Sequence, residues 1–82
     1  MAGEKISAAI DITGDVCPMT WVKTKLELEE MATGDLLEVL IREGESLENV
    51  TRSAPSEGHE VVVREEKERP VWRLVIRRGD GG

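Results

Sequence analysis

Apolar residues recur along the 82-residue chain with two periods, one strand-like and one helical. Alternating or continuous apolar runs predict β-strands, whereas apolar residues three and four positions apart predict helices. The predicted elements, in chain order, are a strand at 7–12, a helix at 18–32, a strand at 35–41, a helix from its expected N-cap Ser46 to just before Gly58, and strands at 60–65 and 71–77.

The order β-α-β-α-β-β predicts a specific fold. Strands joined through a helix lie parallel by a right-handed crossover, and the last two strands, joined by a short turn, form an antiparallel hairpin. The simplest arrangement is an α/β fold, more exactly an α+β two-layer sandwich, in which two helices pack on one face of a four-stranded mixed sheet. The length suits one domain, residues 1–82, with a core at about 7–79 and flexible ends. The glycine-rich segment that begins at Gly79 is expected to be a flexible tail after the last strand.

The first predicted helix carries two apolar zones. Trp21, Thr24, Leu28, Met31 and Ala32 share a stripe that we expect to face the sheet. Met19, Val22 and Leu26 form a second zone on the flank. This second zone is either the edge of the core or an exposed patch that docks a partner protein.

Charge and composition narrow the function. The chain has 17 acidic and 11 basic residues, a net charge of −6, which argues against direct binding to nucleic acid. No run approaches the length of about 20 apolar residues that crosses a membrane, and the N-terminal residues lack the apolar core of a signal peptide. We therefore expect a cytoplasmic protein, in a compartment that keeps thiols reduced.

Cys17 is the only cysteine, and it lies in the run Gly14-Asp15-Val16-Cys17-Pro18 at the predicted start of the first helix. Proline is well tolerated in a first helical turn. The unpaired N–H groups and the dipole of a helix N-terminus favour a thiolate and lower the pKa of a cysteine there. From position alone, an inert core cysteine and a reactive thiol remain equally open.

The chain lacks the residues that most other cysteine chemistries need. The only histidine, His59, is predicted in the turn before the third strand and is expected to be solvent-exposed. A disulfide mechanism needs a second cysteine, and a zinc site needs about four ligands. We expect no metal and no cofactor, which leaves Cys17 as a thiol that accepts a group, holds it and passes it on.

The segment from Ile10 to Pro18 resembles the signature of the TusA/SirA-like sulfurtransferase family. The Gly34-Asp35 turn, the Gly58-His59-Glu60-Val61 strand entry and the closing segment 74–79 also resemble that family, so the likeness spans about residues 8–79. It implies the fold described above and a role for Cys17 as a persulfide carrier, supported by Gly14, Pro18 and Thr20.

The resemblance also implies partners. A cysteine desulfurase or another sulfur donor protein would load Cys17, and a downstream acceptor protein would take the sulfur from a monomeric carrier. Members of the family supply sulfur to tRNA thiolation or molybdenum-cofactor synthesis, or take part in sulfur oxidation. The sequence does not indicate which of these pathways applies. Whether such a carrier turns over alone, as an enzyme does, is also open.

Two departures from the family pattern stand out. Thr20 replaces the second proline of the Cys-Pro-x-Pro motif, and its hydroxyl could donate a hydrogen bond to the thiolate. The loop from Arg42 to Glu45 replaces a turn that is acidic and proline-containing in many relatives, so that contacts with partners could differ.

Two further interpretations stay open. The chain could be a non-catalytic interaction or regulatory module of the same fold. Gly81-Gly82 could instead be the C-terminus of a ubiquitin-like sulfur carrier, although that fold begins with a hairpin and this chain is predicted to begin strand-helix-strand.

Overall fold

The computed structural model describes residues 6–16 and 19–79, and its elements follow the predicted order. Their bounds are β1 Ile6–Asp11, α1 Met19–Glu29, β2 Leu36–Arg42, α2 Glu45–Ser56, β3 Glu60–Glu66 and β4 Val71–Arg77. The predicted β-α-β-α-β-β fold is confirmed. The strand-helix-strand beginning also differs from the opening hairpin of the ubiquitin-like fold.

The four strands form one mixed sheet in the spatial order β1-β2-β4-β3. β1 pairs with β2 in parallel, as expected of strands joined through a helix. β4 pairs antiparallel with both β2 and β3. The strands β1 and β3 are therefore the two edges of the sheet.

The core lies between the sheet and the two helices. In β2 every second residue is buried, and Leu37, Val39 and Ile41 have no exposed surface. Leu28 of α1 and Val50 of α2 are buried in the same cluster. Burying each such side chain contributes about 1.5–3 kcal/mol, so an aliphatic core compensates for the scarcity of aromatic residues.

The other face of the sheet carries charged side chains in pairs across neighbouring strands. On β4, Arg73 bonds to Glu38 of β2 at 2.5 Å and to Glu65 of β3 at 3.0 Å, and Arg77 pairs with Glu60. Cross-strand pairs of this kind stabilise a sheet face that no helix covers.

The bounds of the helices differ from the prediction at two points. Helix α1 ends at Glu29 rather than at residue 32, and Ala32 is exposed. The chain turns there because the Asp35 carboxylate accepts a hydrogen bond from the Ala32 N–H (3.0 Å) and Gly34 adopts a positive φ of 94°. Ser46 is not the cap of α2: Gly44 holds that position, without a side-chain hydrogen bond.

The end of β4 is packed tightly as far as Gly79, the last residue of the predicted core, whereas a tail was expected to begin there. The Gly79 N–H donates to His59 Nδ1 at 3.0 Å. A Cβ at Gly79 would lie 1.7 Å from the Gly58 carbonyl oxygen, so only glycine fits there. Residues 80–82, with Gly81-Gly82, lie outside the described residues.

Candidate functional site

The connection from β1 to α1 forms the candidate site. The Ile12 N–H donates to the Leu40 carbonyl at 2.9 Å, which extends the β1–β2 ladder by one residue. The Asp15 N–H then donates to the Ile12 carbonyl at 3.1 Å and closes a turn. Gly14 is exposed at this turn, and a Cβ there would meet no atom of residues 6–16 and 19–79 within 4 Å. The described neighbours of Gly14 therefore leave room for a side chain.

Cys17 and Pro18, the two residues that join Val16 to Met19, lie outside the described residues. Their predicted roles therefore stay predictions. The chain on either side of them is held by the Thr20 N–H, which donates to the Val16 carbonyl at 3.3 Å. An ion pair between Lys23 and Asp15 (2.9 Å) also ties α1 to the loop before Cys17.

Thr20 is fully buried at the start of α1. Among the described residues its hydroxyl has no hydrogen-bond partner, although its carbonyl accepts a bond from the Thr24 hydroxyl at 2.8 Å. Orphaned buried polar atoms are rare, and each calls for an explanation. The predicted donation from Thr20 to Cys17 is untested by these contacts.

Four apolar side chains are exposed beside the position of Cys17 in the chain. The exposed fractions are 71% for Val16, 46% for Met19, 40% for Val22 and 57% for Leu26. We call these four residues the apolar stripe. The prediction left Met19, Val22 and Leu26 as either core edge or an exposed patch that docks a partner; the three side chains are exposed, and docking stays a prediction. Thr24 and Leu28 face the core, with Trp21 and Met31 half-buried against it.

A shallow cavity of about 380 Å³ adjoins the loop before Cys17. Its walls are residues 13–16 on one side and the segment after β2 on the other, including Arg42, Glu43, Glu45 and Ser46. Arg42 is exposed and forms no ion pair with any carboxylate of residues 6–16 and 19–79.

The sequence alone predicts only part of the position of Arg42. It shows that the loop from Arg42 to Glu45 departs from the family pattern, but it does not show which residues this loop faces. The carboxyl ends of neighbouring parallel strands meet at one edge of a sheet, a common place for ligand sites, and this rule points to the end of β2.

Hydrogen bonds hold both walls of this cavity. The Asp11 carboxylate accepts bonds from the Thr13 N–H (3.0 Å) and the Thr13 hydroxyl (2.7 Å), which lower the pKa of Asp11 below its ordinary value. On the other side, the Glu43 N–H donates to the Pro70 carbonyl at 2.7 Å, and the Glu43 carboxylate accepts from Trp72 Nε1 at 3.0 Å. The loop geometry is therefore fixed by contacts to neighbouring elements.

His59 lies at the other end of the sheet from this connection. It directly precedes β3, whose first residue Glu60 pairs with Arg77 at the C-terminal end of β4. The C-terminal ends of β1 and β2 lie at the opposite end of the sheet. Its ring is partly buried and accepts the bond from Gly79, which corrects the expectation of an exposed turn histidine. His59 is therefore no general base for a thiol at the start of α1.

Metal and membrane sites have no support in the described part of the chain. No group of three or more His, Cys, Asp or Glu side chains among residues 6–16 and 19–79 is placed to hold a metal ion. Neither helix in these ranges is long and apolar enough to span a bilayer.

Comparison with known proteins identifies the relatives of this chain. The family model described as "Sulfurtransferase TusA" matches residues 8–78. A curated protein of Methanocaldococcus jannaschii, named as a candidate sulfur carrier, is 44% identical over 69 residues, 84% of this chain and 91% of its own length. One from Thermotoga maritima with the same description is 35% identical over 94% of this chain and 98% of its own length.

A solved structure has a closely similar fold. The crystal structure of a SirA-like protein from Desulfitobacterium hafniense superposes with a TM-score of 0.77 at 28% identity. The match covers 89% of this chain and 99% of that one. The described sheet and helices are thus arranged as in that protein.

Proposed function

Because the chain belongs to the TusA sulfurtransferase family, whose curated members named above are candidate sulfur carriers, we propose that it carries sulfur as a persulfide on Cys17. One observation supports this most directly: Val16 before Cys17 and Met19, the first described residue after it, are exposed and apolar, on a connection held by hydrogen bonds. A thiol that exchanges sulfur with other proteins must be reachable by their thiols.

The proposed reaction is a transfer between two sulfurs. The Cys17 thiolate attacks the terminal sulfur of a persulfide on the donor protein, a new S–S bond forms at Cys17, and the donor's S–S bond breaks to leave its thiolate. A nucleophile on the acceptor protein then attacks the terminal sulfur and releases the Cys17 thiolate. No external oxidant or reductant is consumed in the exchange.

The position of Cys17 before a helix suits this chemistry. Cysteines that precede helices have lowered pKa values, because the unpaired N–H groups of the first turn and the helix dipole stabilise the anion. A cysteine desulfurase is the proposed donor, and any cofactor of that reaction belongs to the donor protein. A reducing compartment such as the cytoplasm would keep the lone thiol available.

The apolar stripe is the proposed docking surface for donor and acceptor proteins. Transfer between two cysteines requires direct contact of their sulfurs, so the surface around Cys17 must bury against the partner. Exposed apolar side chains such as Met19 and Leu26 gain from that burial, about 25 cal/mol per Å² of apolar area removed from water.

Intact mass spectrometry tests the proposal. The reduced protein is incubated with a cysteine desulfurase, pyridoxal phosphate and L-cysteine, beside a Cys17→Ser control. We expect a gain of one sulfur atom that reductant reverses and that the control lacks.

Thiosulfate with a rhodanese, and polysulfide, serve as alternative donors. If none of the three donors adds sulfur, the carrier function is wrong, and a non-catalytic interaction module of the same fold becomes the better explanation. In that case Cys17→Ser would also leave the biological role intact.

A further inference from the structure

The strand β1 is an edge of the sheet, and one of its sides pairs with no strand of residues 6–16 and 19–79. The Ile12 N–H points to β2, where it donates to Leu40, and backbone groups of a parallel strand alternate in direction along the chain. The N–H and C=O groups of Ala9 and Asp11 therefore point away from β2. A register shift between Ile6 and Ala8 confines the regular edge to residues 8–11.

The two edges of the sheet differ in their protection. β3 carries the charged residues Glu60, Arg64, Glu65 and Glu66 and a register shift between Val61 and Val63, features that discourage pairing with another chain. β1 has the sequence Ile-Ser-Ala-Ala-Ile-Asp, with small or apolar residues, no proline and one charge. The β1 edge thus lacks most of the sequence features that block the addition of another strand.

A groove runs beside the β1 edge on the side of the sheet that carries the helices. It has a volume of about 380 Å³ and is lined by Ile10, Asp11, Ile12, Lys23, Leu26 and Glu27. Leu26 belongs to the apolar stripe, so the groove and the stripe are continuous. Successive side chains of a strand point to opposite faces, and every second side chain of a strand added to β1 would enter this groove.

We propose that the free edge of β1 binds an extended segment of a partner protein as a fifth strand. The main-chain groups of Ala9 and Asp11 supply the hydrogen bonds, and an apolar side chain of the segment packs on Ile10 and Leu26.

The charges at the edge define the partner further. Asp11 is ionised and exposed at this edge, where it alternates with the more buried Ile10 and Ile12, and the protein has a net charge of −6. The fitting segment therefore alternates apolar residues with a basic residue that lies beside Asp11. That this segment belongs to a partner in sulfur transfer rests on the proposed function, whereas the strand-addition site itself does not.

A peptide titration tests the site without any sulfur chemistry. The probe is the pentapeptide Thr-Val-Lys-Val-Thr, blocked at both ends, added to ¹⁵N-labelled protein and followed by amide NMR shifts. We expect saturable shifts at Ala9 and Asp11 and at Leu26. The control is the same peptide with a methyl group on every backbone nitrogen, which keeps the side chains but removes the donors, and we expect it to leave these shifts unchanged.

Two variants locate the contact. Ala9→Pro removes an outward N–H while the bonds to β2 remain, and it should weaken binding about fivefold, the effect of one hydrogen bond. Ala9→Ser keeps the N–H and should bind normally. Loading of Cys17 by polysulfide should be the same in both variants, so that failure of the edge site is distinguishable from failure of the carrier function.

Four results would overturn the proposal. The first is that the methylated peptide binds as tightly as the unmodified one, and the second is that the shifts are confined to other surfaces. The third is slow amide exchange of Ala9 and Asp11 in the free monomer, which would mean that the protein's own chain covers the edge. The fourth is a dimer that Ala9→Pro dissociates, which would mean that a second copy covers the edge.

Discussion

At the scale of single residues, Thr20 and Thr24 form an informative pair on one face of α1. Both are fully buried and one helical turn apart. The Thr24 hydroxyl donates to the Thr20 carbonyl at 2.8 Å, whereas the Thr20 hydroxyl has no partner among the described residues. Replacing a bonded hydroxyl and replacing an unbonded one by a methyl group have opposite effects on stability.

We expect Thr20→Val to raise the free energy of unfolding by about 1 kcal/mol, because it removes a buried polar atom that has no partner among residues 6–16 and 19–79. Thr24→Val should lower that free energy by about 1 kcal/mol, because it deletes a formed hydrogen bond. Urea denaturation of both variants measures the difference. A loss of stability in Thr20→Val would show that the hydroxyl bonds to the segment that contains Cys17 and Pro18.

Gly14 and Gly79 differ in the space that a side chain would have at each position. A Cβ at Gly14 would meet no neighbour in the part of the chain that the structure describes, and Gly14→Ala should leave the free energy of unfolding within about 0.5 kcal/mol of the wild type. Gly79→Ala should cost about 1–3 kcal/mol, because the new Cβ would collide with the Gly58 carbonyl. Thermal unfolding of the two variants gives the comparison, and equal stabilities would contradict the packing at Gly79.

At the scale of elements, one face of α1 has a structural role and the other face has the proposed functional role. Thr20, Thr24 and Leu28 face the core, whereas Met19, Val22 and Leu26 face solvent. The helix therefore anchors itself on one side and presents an apolar surface on the other, directly after Cys17 in the chain.

The variants Val22→Glu and Leu26→Glu should slow sulfur transfer from a cysteine desulfurase to Cys17 about tenfold, because a charge in an apolar docking surface must be desolvated. Loading by polysulfide, which needs no docking, should be unchanged. The measurement is the initial rate of persulfide formation at limiting donor protein. Val62→Glu is the matched control, since Val62 is similarly exposed but lies on β3, the far edge of the sheet. An equal decrease in the control would contradict docking on the stripe.

The type and order of every element could be predicted from the sequence, because apolar periodicity reports which face of each segment is buried. The prediction erred at helix ends. Ser46 has the right chemistry for a cap, but the positive φ of Gly44 places the helix start two residues earlier. The prediction also missed the position of Arg42 beside the loop before Cys17, because that proximity arises from the pairing of strands distant in sequence.

At the scale of the whole molecule, the two ends of the sheet differ in character. The end at which β1 and β2 finish carries the loop that leads to Cys17. The opposite end is closed by contacts among the start of β3, the end of β4 and the turn after α1. There Arg78 Nε donates to the Leu28 carbonyl at 2.5 Å, the Gly34 N–H donates to the Arg78 carbonyl at 2.8 Å, and Gly79 bonds to His59. The closing end stabilises the fold without contributing to the proposed chemistry.

Because His59 accepts the Gly79 N–H at Nδ1, the closed end requires the neutral imidazole. Burial, and secondarily the charge of Arg78, lower the pKa of His59 below its ordinary value of 6.5, against a smaller opposing effect of Glu57. The unfolded chain therefore binds a proton more readily than the native protein does. It follows that the stabilising contribution of neutral His59 is fully present above pH 6.5 and declines as the pH falls through the native pKa.

We expect the free energy of unfolding of the wild type to fall more steeply than that of His59→Gln between about pH 7 and pH 5, because glutamine does not titrate and its amide oxygen can still accept a hydrogen bond. Urea denaturation at a series of pH values measures both curves, and the carboxylates common to the two proteins cancel in their difference. Parallel curves would contradict the role assigned to His59. A steeper fall of the wild-type curve would show that the end of the sheet remote from Cys17 sets part of the acid stability of the fold.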